Sequence, residues 1–216
     1  MTEVPHFLCP WREATLDSEK TLDAAAKLDA EAKFWDGVPV EKFLKTVSGG
    51  EPDQGTSVQV AWTAEDLRVR LVAEDTDAWA TMTAPKSLVY EEEVVEVFLD
   101  SVGDLNSYYE IEVNPLNTVL DLVLRRNRSG YLQDFKWICE GLHTSVQSVS
   151  KGWVTNLEIP WRSVSLGQPL AGDRWRANFC RIDRPKGKER ELTSWSHLGR
   201  ANFHTPERFG ILQFVR

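Results

Sequence analysis

The chain has 216 residues, of which 42% are hydrophobic and 27% are charged, a composition typical of a folded globular protein. Its 33 acidic and 25 basic residues give a net charge of −8, which argues against nucleic acid and anionic membranes as partners, because both require a basic surface. No apolar run approaches the roughly 20 residues of a membrane-spanning helix. The first residues lack the pattern of a signal peptide, so we expect a cytoplasmic protein, or an extracellular or periplasmic one if the sequence has been trimmed.

The first predicted element is a short helix in LDAEAKFWDG, with Asp29 as its N-cap and Gly37 at its end. Residues 24–26 fit either this helix or a first strand. From residue 55 onward, apolar and polar residues alternate with a period of two, which predicts β-strands. TSVQVAWT and DLRVRLVAED are two such strands, and TAED between them suits a tight hairpin turn.

Further strands are predicted in EVVEVFLD, SYYEIEVN, TVLDLVLRR, GWVTNLEIP, DRWRANFCRID and RFGILQFVR. Many short strands separated by turn signals indicate an all-β protein, an antiparallel β-sandwich of jelly-roll or immunoglobulin-like type with one short helix. No repeat or linker divides the chain, so we predict a single domain over residues 1–216. The longest irregular segments are 76–92 and 126–142, and loops of that length are often functional.

The nine tryptophans divide by their position in this pattern. Those on the apolar side of a strand are predicted to be core residues: Trp62, Trp153 and Trp175. A flat aromatic ring outside the core can stack against the C–H face of a sugar. The aromatic residues in loops or at strand edges are the candidates for such a contact: Trp79, Tyr90, Trp137 and Phe203.

Several acidic residues lie on the polar side of the central strands: Glu96, Glu110, Glu112 and Asp121. The simplest interpretation is a solvated face, as antiparallel sheets often have one. Glu96 is the exception, because it lies between Val94 and Phe98 and is therefore predicted to have apolar neighbours. A carboxylate beside an aromatic ring can accept strong hydrogen bonds from sugar hydroxyls.

Paired carboxylates also suggest a second hypothesis, a glycan-active hydrolase that uses Glu96 with Glu110 or Glu112. A retaining glycosidase holds its two carboxyl groups about 5–5.5 Å apart. YEIEVN is similar to the Glu-apolar-acid stretch of laminarinase-like glycosidases, but the further glutamate of those enzymes is absent from the following NPLNT. No nucleophile triad, phosphate loop, dinucleotide motif or metal-ligand spacing is present, so we predict that the chain is not an enzyme.

The segment DSVGDLN offers the side-chain oxygens of Asp100, Asp104 and Asn106 to a cation such as calcium. Its spacing is not that of a known calcium loop, so a polar turn is the favoured interpretation. The three cysteines are widely spaced, and Cys180 is predicted to be a buried thiol within a strand.

Taken together, these segments resemble carbohydrate-binding module family 9, in particular its stand-alone family 9-like members. The matching segments cover almost the whole chain in the expected order: LDAEAKFWDGV, VQVAWTAEDLRVRLVAED, YEEEVVEVFLD, YYEIEVNPLNTVLDL, GWVTNLEIPW, GDRWRANFCRID, TSWS and NFHTPERFG. The resemblance implies a β-sandwich that binds a carbohydrate ligand without cleaving it. It also implies a structural calcium ion, without locating a site for it.

The resemblance further implies a cleft in which two tryptophans hold the end of a glucan or xylan chain, beside a glutamate. By motif, Tyr90 and Phe203 stand at the tryptophan positions and Glu96 at the glutamate position. An arginine of the family, just before the VN pair, is Glu112 in this chain. Because these residues differ, an interaction module that has lost sugar binding is a third hypothesis. Further candidates for the polar lining are Arg176, Asn178 and His204.

Overall fold

The computed structural model describes residues 4–14 and 24–216 of the chain. Its strands, numbered in chain order, are β1 (His6–Pro10), β2 (Glu41–Lys42), β3 (Leu44–Lys45), β4 (Thr56–Trp62), β5 (Asp66–Glu74), β6 (Val94–Asp100), β7 (Ser107–Val113), β8 (Val119–Asn127), β9 (Gly130–Asp134), β10 (His143–Val149), β11 (Gly152–Pro160), β12 (Arg174–Asp183), β13 (Glu191–Ser194) and β14 (Gly210–Val215). The helices are α1 (Ala24–Trp35) and the single turn α2 (Trp161–Val164).

The strands form two sheets that pack face to face as a β-sandwich. The larger sheet has the order β1-β14-β12-β6-β7-β8-β9, with β13 beside β12 and β3 beside β13. The smaller sheet has the order β10-β11-β5-β4-β2. Neighbouring strands run antiparallel, except that β1 lies parallel to β14 within the described residues. The predicted fold class is therefore confirmed.

The main core lies between the two sheets, and alternation along each strand determines which residues enter it. Val95, Val97 and Leu99 of β6 point into this core, and so do Trp62, Trp153 and Trp175. The assignment of these three tryptophans to the core is confirmed. The predicted TAED hairpin is also present, with Trp62 of β4 opposite Leu67 of β5.

A second apolar layer covers the outer face of the larger sheet. It contains Val94 and Phe98 of β6, Cys180 of β12, and residues of two covering segments, 76–92 and 195–209. Both faces of β6 are therefore buried along its whole length. The prediction of a solvated polar face is wrong, since Glu96, Glu110, Glu112 and Asp121 are all buried. A period of two separates two faces of a strand but does not reveal whether distant segments cover the polar one.

Helix α1 begins earlier than its sequence signals indicate. Asp29 lies inside the helix, where its carboxylate forms an ion pair with Lys33 at 2.6 Å, so its predicted role as N-cap is wrong. The predicted end is confirmed, because Gly37 follows the helix with a φ of 67°, a conformation that favours glycine. Trp35 packs this helix end against Val38 and Ala61. In the described part of the chain, no helix is long and apolar enough to cross a membrane.

The two long irregular segments differ in structure. Segment 126–142 contains a strand that the sequence analysis missed, because β8 continues to Asn127 and β9 pairs with it as a hairpin. Segment 76–92 contains one short 3-10 turn, Val89–Glu91, which lies over β7. This turn and the second covering segment therefore surround the outer face of strands β6 and β7.

Candidate functional site

A cleft of about 290 Å³ opens on the outer face of the larger sheet, between the two covering segments. Its lining includes Tyr90 from the first covering segment and Phe203 and His204 from the second. Glu96 and Glu112 also line it, together with a third glutamate, Glu110. Five residues selected from the sequence as ligand contacts thus lie in one cleft: Tyr90, Glu96, Glu112, Phe203 and His204.

The three glutamates come together through the register of two neighbouring strands. Glu96 of β6 lies directly opposite Glu112 of β7, and Glu110 lies opposite Phe98, two residues along the same face. Paired residues of an antiparallel ladder point to the same face of the sheet, so all three carboxyl groups enter the same space. Their exposed fractions are only 2%, 4% and 1% for Glu96, Glu110 and Glu112.

Burial and mutual repulsion determine the charge of this cluster. Removal from water raises the pKa of Glu96 and of Glu112 well above the ordinary range, and the neighbouring carboxylates raise both further. Burial also raises the pKa of Glu110 to about 8, although a hydrogen bond with Glu112 limits this rise. The cleft glutamates therefore retain protons at neutral pH, so the cluster carries less than its full negative charge.

The cluster has few partners in the surrounding protein. The Oε2 atoms of Glu110 and Glu112 receive no hydrogen bond from an N–H or hydroxyl group of the described residues. His204 lies with Nδ1 3.9 Å from Oε2 of Glu110 and 3.0 Å from the hydroxyl of Tyr108. Because burial lowers the pKa of His204, this ring is neutral at pH 7 and provides no balancing charge.

The two aromatic residues of the cleft are held differently. Tyr90 lies in the Val89–Glu91 turn and is partly exposed, and its carbonyl accepts a hydrogen bond from Arg184 Nη2 at 3.0 Å. Phe203 is only 7% exposed and packs edge-to-face on Phe98, with ring centroids 6.2 Å apart. Both rings thus line the cleft and pack on the second apolar layer, but Tyr90 is the more exposed of the two.

Two predicted lining residues do not reach the cleft. Asn178 is fully buried, and its Oδ1 accepts a hydrogen bond from the backbone N–H of Ser196 at 2.9 Å. Arg176 lies further along β12, opposite Asp100, whereas Cys180 is the β12 residue opposite Glu96. Arg176, Asn178 and Cys180 alternate along β12 and therefore lie on the same face of the sheet as Glu96. The cleft, however, opens only at the end of this row that is nearest to Cys180. The burial of Cys180 confirms its prediction as a buried thiol.

Several residues of the cleft lining were not predicted from the sequence: Leu122, Gln133, Ile182, Arg190, Leu192, Ala201 and Asn202. Asn202 could have been found, since it directly precedes Phe203, and its Oδ1 accepts a hydrogen bond from the backbone N–H of His204 at 2.9 Å. Gln133 belongs to β9, the strand that the sequence pattern did not reveal. Finding it required the three-dimensional path of the chain.

The other two loop aromatics have structural contacts instead. The indole N–H of Trp79 donates a hydrogen bond to the carbonyl of Arg184 at 2.8 Å. Trp137 packs against Tyr109 at the border of the main core, with ring centroids 5.0 Å apart. Neither residue lines the cleft.

A larger and more open hollow, of about 1190 Å³, lies beside β13. Its lining is rich in charged side chains, including Lys45, Asp53, Lys188 and Glu191, and it contains no aromatic residue. A sugar ring would find no stacking surface there, so the smaller cleft is the better candidate despite its size.

The DSVGDLN segment forms a polar turn, as the sequence analysis favoured. The Asp100 carboxylate accepts hydrogen bonds from the backbone N–H groups of Gly103, at 2.7 Å, and Leu105, at 3.1 Å. Both Asp104 oxygens accept hydrogen bonds from Asn106. These oxygens stabilise the turn and do not converge on a cation.

A different acidic cluster is the candidate for the calcium ion that the family resemblance implies. Oxygen atoms of Asp75, Glu93 and Asp183 lie within 4.8 Å of one another, and all three side chains are buried. Arg181 Nη2 lies 2.6, 3.6 and 3.3 Å from these three carboxylates, respectively. The guanidinium therefore already occupies the position between them.

This acidic cluster does not fit calcium in the present arrangement. Burial raises the pKa of Glu93 to about 8, so Glu93 carries a proton at neutral pH. The charge of Asp75 and Asp183 is balanced by Arg181. Oε2 of Glu93 and Oδ1 of Asp183 have no hydrogen-bond partner among the described residues. A calcium ion, which takes six to eight oxygen ligands, would have to displace the arginine.

The comparisons with known proteins agree with this fold. The chain matches the family model described as carbohydrate family 9 binding domain-like over residues 26–216. A similar solved structure, from Bacteroides uniformis and assigned as a carbohydrate-binding protein, has 18% identity and a TM-score of 0.77, with 98% of this chain and 100% of that chain covered.

Two further similar structures are of a family 9 carbohydrate-binding module from Caldicellulosiruptor kristjanssonii. The complex with cellotriose has 16% identity and a TM-score of 0.67, and covers 98% of this chain and 94% of that chain. The complex with glucose has 15% identity and the same TM-score, with coverage of 98% and 97%. No curated protein matches the chain. Because the family model spans most of its length, the chain belongs to the carbohydrate family 9 binding domain-like family.

Proposed function

We propose that this chain binds a carbohydrate without cleaving it, and that a sugar residue occupies the cleft between Tyr90 and Phe203. Membership of the family supports this proposal, and so do the sugars named for the similar modules, cellotriose and glucose. One observation carries it: Phe203 is distant in sequence from Tyr90 and Glu96, but all three line the same cleft.

The cleft has the chemistry that a sugar requires. The partly exposed ring of Tyr90 offers a flat apolar surface to one face of the sugar. The buried glutamates offer hydrogen-bonding groups to its hydroxyls, as donors where they are protonated and as strong acceptors where they are ionised. A volume of about 290 Å³ is at the small end for ligand sites, which favours a single sugar ring or the end of a chain.

The arrangement of the glutamates favours binding over hydrolysis. A retaining glycosidase needs its two carboxyl groups about 5–5.5 Å apart, on either side of the reacting bond. Glu110 and Glu112 lie two residues apart on the same face of β7, so their side chains enter the cleft from the same side and do not flank a bond. The hydrolase hypothesis would therefore depend on Glu96 paired with one of them.

Calorimetry with glucose, xylose, cellotriose and xylotriose tests the proposal. We expect saturable binding by the native chain, a loss of at least about tenfold in Tyr90→Ala, and a smaller loss in Glu96→Gln. Phe34→Ala is the matched control, because Phe34 is an aromatic residue on α1, outside the cleft. Equal affinities in the native chain and Tyr90→Ala would refute the site. Release of chromophore from aryl glycosides by the native chain, but not by Glu96→Gln, would favour hydrolysis instead.

A further inference from the structure

The three cleft glutamates have no cationic partner in the surrounding protein. Within the described residues, no lysine or arginine nitrogen lies within 4.0 Å of a carboxylate oxygen of Glu96, Glu110 or Glu112. The nearby imidazole of His204 is neutral at pH 7 because of its burial. Arg190 lines the same cleft without forming an ion pair to these glutamates. Buried carboxylates normally require a paired cation or a proton, and here only protons balance the charge.

The arrangement of the three glutamates does not match a site for a bare metal ion. Among the described residues, only Asp75, Glu93 and Asp183 bring three acidic ligand atoms within 4.8 Å of one another. The cleft glutamates are spread along two strands instead, with Glu96 opposite Glu112 and Glu110 two residues away. A larger organic cation, with several N–H donors and an apolar face for Tyr90, fits such a floor better.

We propose that the ligand is an amino sugar, whose protonated amino group binds to the floor formed by Glu96, Glu110 and Glu112. This inference rests on the proposed function, and it specifies the class of sugar. An ammonium group has three N–H donors and no acceptor, which complements carboxylate oxygens that receive no other hydrogen bond, such as Oε2 of Glu110 and of Glu112. A neutral hydroxyl can form hydrogen bonds to the same oxygens, but it has no charge that would favour their ionised form.

Binding of the ammonium group changes the protonation of the floor. The cleft glutamates retain protons in the free protein, and a nearby cation favours their charged form. Protons therefore leave to solvent as the cation enters, and ionised carboxylates then face the ammonium group. The groups that face this floor from neighbouring elements are Tyr90, Tyr108, Cys180, Arg190 and His204.

Calorimetry with glucosamine, glucose and N-acetylglucosamine tests this inference. At about pH 6.5, below the usual pKa of an amine, we expect glucosamine to bind about tenfold more tightly than the two neutral sugars. Repeating the titration in buffers of different ionisation enthalpy measures the number of protons that are released or taken up on binding. We expect release with glucosamine and none with glucose.

Two conservative variants keep the test independent of folding. Glu112→Gln and Glu110→Gln each remove a charge with little change in shape, and a thermal melt verifies that each is folded. We expect each to lower the affinity for glucosamine by about tenfold more than the affinity for glucose, while Phe34→Ala changes neither. If glucose binds as tightly as glucosamine, the inference fails and the proposed function stands. If no sugar binds, both fail.

Discussion

Glu96 of β6 and Glu112 of β7 lie directly opposite each other in the ladder, and both are almost completely buried. Like charges at opposed positions of a sheet are destabilising, and burial increases the effect. Glu110, two residues from Glu112, adds a third carboxyl group to the same face. The protein thus holds an electrostatically unfavourable group of residues at one place, and that place is the floor of the candidate site.

The stability of the protein should fall as the pH rises above about 5. The pKa of each cleft glutamate is raised in the folded state, so the folded protein binds more protons than the unfolded one between the ordinary pKa and the raised one. For Glu110 this interval runs from about 4.5 to about 8. The free energy of unfolding should decrease there by up to about 1.4 kcal/mol per pH unit for each such group. Urea denaturation from pH 5 to 9 measures this slope.

Replacement of one cleft carboxyl group should reduce that slope. In Glu112→Gln the repulsion between Glu112 and its neighbours is absent, so we expect higher stability at about pH 8 and a shallower pH dependence. Asp134→Asn is the matched control, because Asp134 pairs with Arg125 at the protein surface, outside the cleft. A pH slope in Glu112→Gln as steep as that of the native chain would contradict the assignment.

Replacing the two aromatic residues of the cleft should have different effects: Phe203→Ala should mainly lower stability, and Tyr90→Ala should mainly weaken sugar binding. Phe203→Ala removes a ring that packs on Phe98 in the second apolar layer, and should lower the free energy of unfolding by about 3 kcal/mol. Tyr90→Ala removes a partly exposed ring and should lower it by less than about 1 kcal/mol while weakening sugar binding. Chemical denaturation and calorimetry on both variants measure the two effects. Equal losses of stability would contradict this division.

Much of this fold is visible in the sequence, because alternation is a local property. The apolar side of β6, with Val95, Val97 and Leu99, follows directly from a period of two, and so does the place of Trp62 in the core. What the pattern cannot contain is the cover over the opposite side. Glu96 is buried because segments 76–92 and 195–209, distant in sequence, pack over it.

For the same reason, the candidate site could be predicted from the sequence only in part. Motif similarity selects Tyr90, Glu96 and Phe203, and the fold brings these three residues into one cleft. Asn178 has the same parity as Glu96, but a hydrogen bond to Ser196 holds it below the second covering segment. Whether a side chain with the right parity reaches the cleft depends on where the loops leave an opening. That is a tertiary property, which alternation does not encode.

Trp79 tests the distinction between loop aromatics that line the cleft and those that only stabilise the fold. Its indole N–H donates a hydrogen bond to the Arg184 carbonyl, and the Arg184 guanidinium in turn donates to the Tyr90 carbonyl. Trp79→Phe removes the first hydrogen bond and keeps an aromatic ring, so we expect a loss of about 1 kcal/mol in stability. Sugar affinity should change less than about twofold, because Trp79 does not line the cleft. Denaturation and calorimetry measure both, and a loss of binding as large as in Tyr90→Ala would show that Trp79 contacts the ligand.

The stability of the native chain should not depend on calcium. Arg181 Nη2 lies among the carboxylates of Asp75, Glu93 and Asp183, where a cation would otherwise bind. A ligand that binds only the folded state raises the melting temperature, so unchanged melting with EDTA and with millimolar calcium is the expected result. Arg181→Met should instead lose about 3–5 kcal/mol, because it leaves buried carboxylates without a cation.

Glu93→Gln is the matched control for Arg181→Met, and we expect it to have the opposite effect on stability at high pH. Burial raises the pKa of Glu93 to about 8, so a neutral glutamine should be tolerated at pH 7 and stabilising at pH 9. The amide oxygen can still accept the hydrogen bond that Glu93 Oε1 receives from the backbone N–H of Arg184 at 2.8 Å. Thermal melts of both variants, with and without calcium, complete the test. A calcium-dependent rise in the melting temperature of the native chain would show that the ion displaces Arg181, and would overturn the assignment of this arginine as the cation of the cluster.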